Sequence, residues 1–258
     1  MDLKLTDKVI AVGGATSGLG RAIAMQLMQE GAKVIGLART KEKLDAMENE
    51  FSNQFIPFRV DLTIPSSIDR LSDFLNEQMV YGLCLNAGGP PPKATLETTI
   101  DDWDTAYRNT LRWKVQLLQG IIEGMLSRGE GRILFVESVS IKQPIDGLVL
   151  SNAFRAAVAG LVKTLCREAG DKGITYNILA PGYHATPRIT AVLQKSAELQ
   201  GITQQEAEAQ FVASVPTRKV GNPANLGSLA AWMFSPHSGY LNGQTISVEG
   251  GLIRHITG

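Results

Sequence analysis

Val9-Ile10-Ala11-Val12-Gly13-Gly14-Ala15-Thr16-Ser17-Gly18-Leu19-Gly20 is the stretch on which the fold of this chain turns. Residues 9–13 are short, apolar and β-branched, as a buried strand is, and residues 18–30 carry a helical pattern that Gly31 ends. Between them the glycines let the backbone turn tightly and come close to a pyrophosphate. The helix start adds free N–H groups and the positive end of its dipole. Glycine also serves a strand-to-helix turn that binds nothing, so neighbouring segments have to decide.

Outward from this loop, residues 33–38 read as a second strand and close a βαβ unit. Further strands are expected at 55–60, 82–86, 132–138, 174–179 and 245–248, with helical patterns between them. This alternation predicts an α/β chain: a single Rossmann-type domain over residues 1–258, with about seven parallel strands in a doubly wound sheet and helices on both faces. Residues 187–215 are helical in pattern but more polar, and are expected to form a substrate lid or a surface helix pair beside the sheet.

Composition agrees with one large domain. The chain has 258 residues, 44% of them hydrophobic, enough for a full core. Lys plus Arg equals Asp plus Glu at 25 each, without blocks of like charge, so neither nucleic acid nor an anionic membrane is an expected partner. Residues 1–8 lack the layout of a signal peptide, and no apolar run approaches the ~20 residues of a membrane span. A cytoplasmic location follows as an expectation. Cys84 and Cys166 have neither metal-ligand spacing nor a disulfide framework, so both are expected as reduced packing residues and no metal site is expected.

At the end of the second strand a carboxylate would receive the ribose hydroxyls of NAD, and a cation would meet the 2′-phosphate of NADP. The chain has Ala38-Arg39 there. On charge grounds NADP(H) is favoured over NAD(H), although Arg39 is also what an ordinary surface offers.

In its spacing Gly14-x-x-x-Gly18-x-Gly20 the loop resembles that of the short-chain dehydrogenase/reductase family rather than the commoner G-x-G-x-x-G. The resemblance runs along nearly the whole chain and implies roles for particular residues. Gly14, Thr16, Ser17, Gly18, Leu19 and Gly20 would cradle the phosphates. Asp61, with Leu62 beside it, would cap the adenine amino group, and Asn86-Ala87-Gly88 would form the turn beside the adenine ribose. Asn109, Ser138, Pro181-Gly182, Thr186 and Asn242-Gly243-Gln244 fall where the family has its counterparts. A Thr usually precedes the first glycine, and Gly13 in its place is expected to loosen the turn.

Active members of the family transfer a hydride at a carbonyl or alcohol carbon. A serine holds the substrate oxygen, and a tyrosine whose pKa a lysine lowers quenches the developing alkoxide. Ser138 fits the first role. The tyrosine and lysine belong on the next helix as Y-x-x-x-K, whose i, i+4 spacing puts both on one face. That place reads Ser151-Asn152-Ala153-Phe154-Arg155. Serine hydroxyls ionise far above the ~10 of a phenol and arginine side chains keep their proton above ~12, so such a pair does not shuttle protons the same way. Arg155 is expected as a clamp on the nicotinamide ribose that places positive charge near an oxyanion. Asn109 loses its usual partner.

His184 is a candidate acid or base because imidazole titrates near neutrality, and equally a packing contact beside the cofactor carboxamide. By location Glu137, Lys142 and Tyr183 are candidate proton donors too, and Lys142 could neutralise an acidic substrate, but Tyr183 is expected to pack, Lys142 to lie in a solvated loop, and His237 and His255 to be solvated. Glu137 and Arg155 are a candidate buried ion pair. Two expectations about function follow. One is an NADP(H)-dependent oxidoreductase acting on a small carbonyl or hydroxyl compound, similar to 3-oxoacyl-acyl-carrier-protein reductases but without the Tyr and Lys. The other is a dinucleotide-binding sensor or regulatory subunit with little turnover. The small residues Ala156, Ala157 and Gly160 would suit a homodimer or homotetramer interface.

Overall fold

A computed structural model describes every residue except Ser52, His255, Thr257 and Gly258, so the expectation for His255 lies outside the described residues. The chain opens with β1 (Val9–Gly13), α1 (Gly18–Gln29), β2 (Lys33–Ala38), α2 (Lys41–Glu50) and β3 (Phe55–Arg59). It continues with α3 (Pro65–Glu77), β4 (Gly82–Leu85), α4 (Ile100–Tyr107), α5 (Trp113–Arg128), β5 (Gly131–Val136) and α6 (Val149–Ala169). It closes with β6 (Ile174–Pro181), α7 (Pro187–Gln200), α8 (Gln204–Phe211), α9 (Pro223–Phe234) and β7 (Thr245–Val248). Among the described residues the seven strands form one parallel sheet in the order β3-β2-β1-β4-β5-β6-β7. The order reverses between β1 and β4, and the crevice outside the carboxyl ends of these two strands is where α/β sheets bind ligands.

Strand alternation sends the apolar side chains into two cores. Ile10 and Val12 of β1, with Leu134 and Val136 of β5, pack under α1, α2 and α9. Ala11, Ile133 and Phe135 face the other way, under α3, α5 and α6. Helix α9 comes so near α1 that a Cβ on Gly227 would lie 2.7 Å from the Ala22 carbonyl oxygen. Cys84 is buried in the first core, and burial pushes its thiol up to about 12, consistent with a packing role.

Of the boundaries that differ from those expected, three bear on the site. The β5 ladder stops at Val136, so Glu137 and Ser138 lie past its end, and Ser138 starts a short 3-10 turn, Val139–Ile141. The β4 ladder stops at Leu85 and frees Asn86. Strand β6 runs on through Pro181, because its partner β7 pairs Pro181 with Val248. Residues 187–215 form α7, α8 and a turn.

One described helix, spanning residues 149–172, is long and apolar enough by composition to cross a membrane, although no such run was expected from the sequence. In the fold Leu150, Val158 and Val162 of α6 are buried on the sheet, while Ala156, Ala157 and Gly160 are exposed.

Candidate functional site

The turn between β1 and α1 is built by backbone. Gly14 N–H donates to the Leu37 carbonyl (2.8 Å), and the Asn86 side-chain amide donates to the Gly13 carbonyl (2.8 Å), tying the end of β4 across the crevice. A Cβ on Gly13 would sit 2.2 Å from the Asn86 carbonyl oxygen. Glycine at this position therefore does not loosen the turn, as the sequence suggested, but permits a closer approach of β4. Gly14 and Gly18 have φ of +64° and +55°, and a Cβ on Gly20 would lie 2.3 Å from the Gly14 oxygen. Ser17 precedes α1 without a side-chain cap, so the first amides of the helix are free for an anion.

Gly18 faces a separate hollow beside Pro187, while Gly14, Thr16 and Ser17 of the loop open on a groove of about 380 Å³. From the β2–β3 side toward α5 its walls are Arg39, Thr40, Lys43, Asp61, Leu62 and Thr63, then Gly14, Thr16, Ser17, Asn86, Ala87, Gly88 and Gly89, then Asn109 and Trp113. The loop, corner and turn residues read from the sequence are thus brought together, with Leu19 and Gly20 behind them in α1. Asp61 accepts from the Thr63 N–H (2.9 Å) and hydroxyl (2.7 Å). That backbone bond first, then the hydroxyl and the Arg39 charge, holds its carboxyl below the usual range against a partial burial cost. Lys43 escaped the sequence reading. Its signal was a further cation, past Lys41, four residues after Arg39 in the first turn of α2. A Cβ on Gly88 would meet open space, whereas Gly13 and Gly20 have no room for one. Uncapped amides, a glycine-lined floor and two cations at one corner fit a phosphorylated dinucleotide.

Beyond the groove, one π-helical turn, Arg108–Arg112, joins α4 to α5 and carries Asn109, whose carbonyl accepts from the Trp113 indole (3.0 Å). Such π turns commonly re-aim helix residues at functional sites. Ser138 Oγ accepts from the Ser140 N–H (3.1 Å). On α6, Phe154 packs against Trp103 and Tyr107 of α4, which fixes the rotation of the helix. Ser151, Arg155, Val158 and Val162 then share the buried face.

There Arg155 Nη1 donates to Glu137 Oε2 (2.9 Å) and its Nε donates to Ser151 Oγ (3.0 Å), so the candidate ion pair is present. The other oxygen of Glu137 accepts from Lys114 Nζ. All three charged side chains are buried, and one carboxylate answers two cations. Burial, and then the Arg155 charge, lower the Lys114 pKa, while Glu137 raises it. Lys114 was missed in the sequence, although it falls in the apolar stripe with Leu117, Leu118 and Ile121, where an exposed lysine would not.

His184 is 4% exposed; its Nδ1 lies 3.3 Å from the Gly182 carbonyl, and its ring rests on Gly221. Burial lowers its pKa, which keeps it neutral at pH 7. Tyr183 packs on Phe211 of α8 (4.3 Å between rings). Gly182 N–H donates to the Val248 carbonyl (3.0 Å), next to Pro181. Thr186 faces the α1 start, with its Cγ2 3.5 Å from where a Gly18 Cβ would be. Lys142 is half-buried rather than solvated, and burial lowers its pKa against the opposing charge of Glu249. His237 is exposed, with Nε2 2.9 Å from the Asp2 carbonyl.

Residues 14–253 match the family described as enoyl-(acyl carrier protein) reductase. The chain belongs to this branch of the short-chain dehydrogenase/reductases. Members of this family are oxidoreductases. The chain is 29% identical over 252 residues to the 3-oxoacyl-acyl-carrier-protein reductase FabG of Vibrio cholerae, covering 97% of this chain and 99% of that protein. It is 27% identical over 256 residues to the acetoacetyl-CoA reductase of Cupriavidus necator, covering 96% and 99%. Among solved structures, a single-substitution variant of the actinorhodin polyketide ketoreductase with NADPH superposes with a TM-score of 0.90 at 28% identity, covering 96% of this chain and 98% of that one. L-sorbose reductase of Gluconobacter frateurii superposes with a TM-score of 0.94 at 24% identity over 99% of this chain and 100% of that one, a likeness of fold.

Proposed function

We propose that the chain is an NADP(H)-dependent oxidoreductase of the 3-oxoacyl-reductase kind that moves a hydride to or from a small carbonyl or alcohol compound. The observation that carries this reading is the groove whose wall Arg39 and Lys43 share with Gly14, Thr16 and Ser17, the loop that leads into the uncapped start of α1. Two cations favour a 2′-phosphate there, and Asp61, the one carboxylate lining the groove among the described residues, is tied to Thr63. The polyketide ketoreductase relative, solved with NADPH, supports the same cofactor.

The dinucleotide, when bound, supplies or accepts the hydride. The residues of the chain must orient the substrate, bear charge at its oxygen and move one proton. The Ser140 N–H occupies Ser138 Oγ as an acceptor, which leaves the Ser138 hydroxyl proton free to be given to a substrate oxygen. Arg155, held by Glu137 and Ser151, adds fixed positive charge close to that place. Neither group is an acid tuned to neutral pH, and the lack of one costs about 10²- to 10⁴-fold in rate. His184, neutral and packed on Gly221, serves the turn rather than the proton.

A second reading, a dinucleotide-binding protein with little turnover, is favoured by the way Glu137 and Ser151 already occupy Arg155. In either reading we place the chain in the cytoplasm as one domain with α7 and α8 as its lid. The exposed Ala156, Ala157 and Gly160 would form a contact between copies in a homodimer or homotetramer.

Trp113 lines the groove and is a built-in reporter. Its fluorescence is expected to change with NADPH at lower concentration than with NADH, and silence toward both ends the proposal. A panel of ketones and alcohols, followed at the reduced-nicotinamide absorbance band, separates the two readings. Turnover by the native chain favours the enzyme. Turnover only after Ser151→Tyr with Arg155→Lys favours the binder.

A further inference from the structure

The third arm of Arg155 is not used by the buried cluster. Nη1 meets Glu137 and Nε meets Ser151, while Nη2 points toward Gly89, where it would lie 2.7 Å from a Cβ on that glycine. Nη1 of Arg188 comes to the same spot from the other side, 3.5 Å from that Cβ. Among the described residues Arg188 has no salt bridge and no side-chain hydrogen bond. It also stands in the first turn of α7, a 14-residue helix with no acidic residue in that turn and no side-chain cap from Thr186. A cation at the positive end of a helix dipole is unfavourable unless an anion joins it. Two guanidinium groups thus converge on one point, and Glu137, the carboxylate that Arg155 meets, is already shared with Lys114.

We infer that Arg155 and Arg188 form a two-guanidinium corner that holds a carboxylate carried by the substrate, so that the chain acts on oxo or hydroxy acids in preference to neutral carbonyl compounds. This rests on the oxidoreductase reading and narrows its substrate class. Gly89 also lies on the wall of the dinucleotide groove, so it is the anchoring of the corner, not its place, that favours substrate over cofactor. The cofactor's phosphate bridge already has the α1 amides, whereas Arg155 is anchored to Glu137, the residue next to Ser138. Planar guanidinium forks suit a carboxylate better than a neutral ester, which offers no charge to answer theirs. Glu137 and Lys114 are positioning residues in this account, because they set the direction of Nη2 without touching the ligand.

The test loads the chain with NADP⁺, which blocks reduction of an oxo acid, and titrates it by calorimetry with C3–C6 2-oxo and 3-oxo acids and the methyl ester of each. Some member of the panel is expected to bind at least about tenfold more tightly as the acid than as its ester. Arg188→Gln changes an exposed side chain and is expected to remove about tenfold or more of the acid's affinity while leaving the ester's unchanged, with Arg188→Lys recovering part of the loss. The inference is overturned if every acid binds like its ester. It is equally overturned if Arg188→Gln weakens NADPH, read by Trp113 fluorescence, and spares the acids, since the partner is then the phosphate bridge. Should the native chain bind neither nucleotide, the oxidoreductase reading falls by itself. The same acid and ester titrations on the nucleotide-free chain then decide the corner: a preference for acid that Arg188→Gln removes keeps it, and its absence ends it.

Discussion

The two ends of the groove are made from different parts of the polypeptide. At the β1–α1 turn the contacts are backbone: a carbonyl caught by Asn86, amides left open at α1, and glycines where no Cβ fits. At the α5–α6 end they are buried side chains, Lys114, Glu137, Arg155 and Ser151, drawn from helices and a strand end that lie far apart in sequence. A backbone site depends on steric room and tolerates change in the side chains around it. A buried charge network depends on every member being present, because each ion has lost water that only its partners replace.

The comparison breaks most clearly at Glu137. Glu137→Gln leaves Lys114 and Arg155 as buried cations without a counter-charge and is expected to cost about 3–5 kcal/mol of stability, read by denaturant unfolding. Adding Lys114→Met should return a large part of that loss, and equal stability of the single and double variants would show that the cations are not coupled through this carboxylate. At the other end, Gly13→Thr installs the residue usual in the family. With no room beside the Asn86 carbonyl it is expected to cost about 1–3 kcal/mol and to weaken NADPH binding, checked by melting and fluorescence titration. Unchanged stability would mean that β4 can retreat.

Smaller effects sharpen the contrast. Arg39→Ser should weaken NADPH by roughly ten- to a hundredfold and leave NADH nearly unchanged, the range of one charge-assisted hydrogen bond. The smallest effect concerns pH. The folded pKa of His184 lies below its unfolded value near 6.5, so between these two values the unfolded chain binds more protons. Stability should therefore fall as pH drops through 6.5 toward the folded pKa. His184→Gln is expected to flatten that part of the melting-temperature profile, and a profile of unchanged slope would place the titration elsewhere. Lys114 has the same sign at higher pH: its folded pKa is below 10.5, so its contribution improves as pH rises through the interval between them.

The order of strands along the chain and the glycine turn that a phosphate would meet were both readable in the order of the residues. Strand periodicity and the Gly13–Gly20 run express local rules, one residue's φ or one strand's alternation, and such rules leave a mark wherever they act. For the same reason Arg39, Asp61 and Asn86 were legible at strand ends. Lys43 and Lys114 were not, and Glu137 was legible as a neighbour of Ser138 and one half of a pair, without its second cation. Lys114 is one letter in an apolar stripe until α5 is laid beside β5 and α6, and nothing joins Arg188 to Arg155 until the fold brings both side chains to Gly89. Those meetings belong to the tertiary structure, because the energy of a buried charge is set by which ions and how much water surround it, and no stretch of neighbouring residues specifies that.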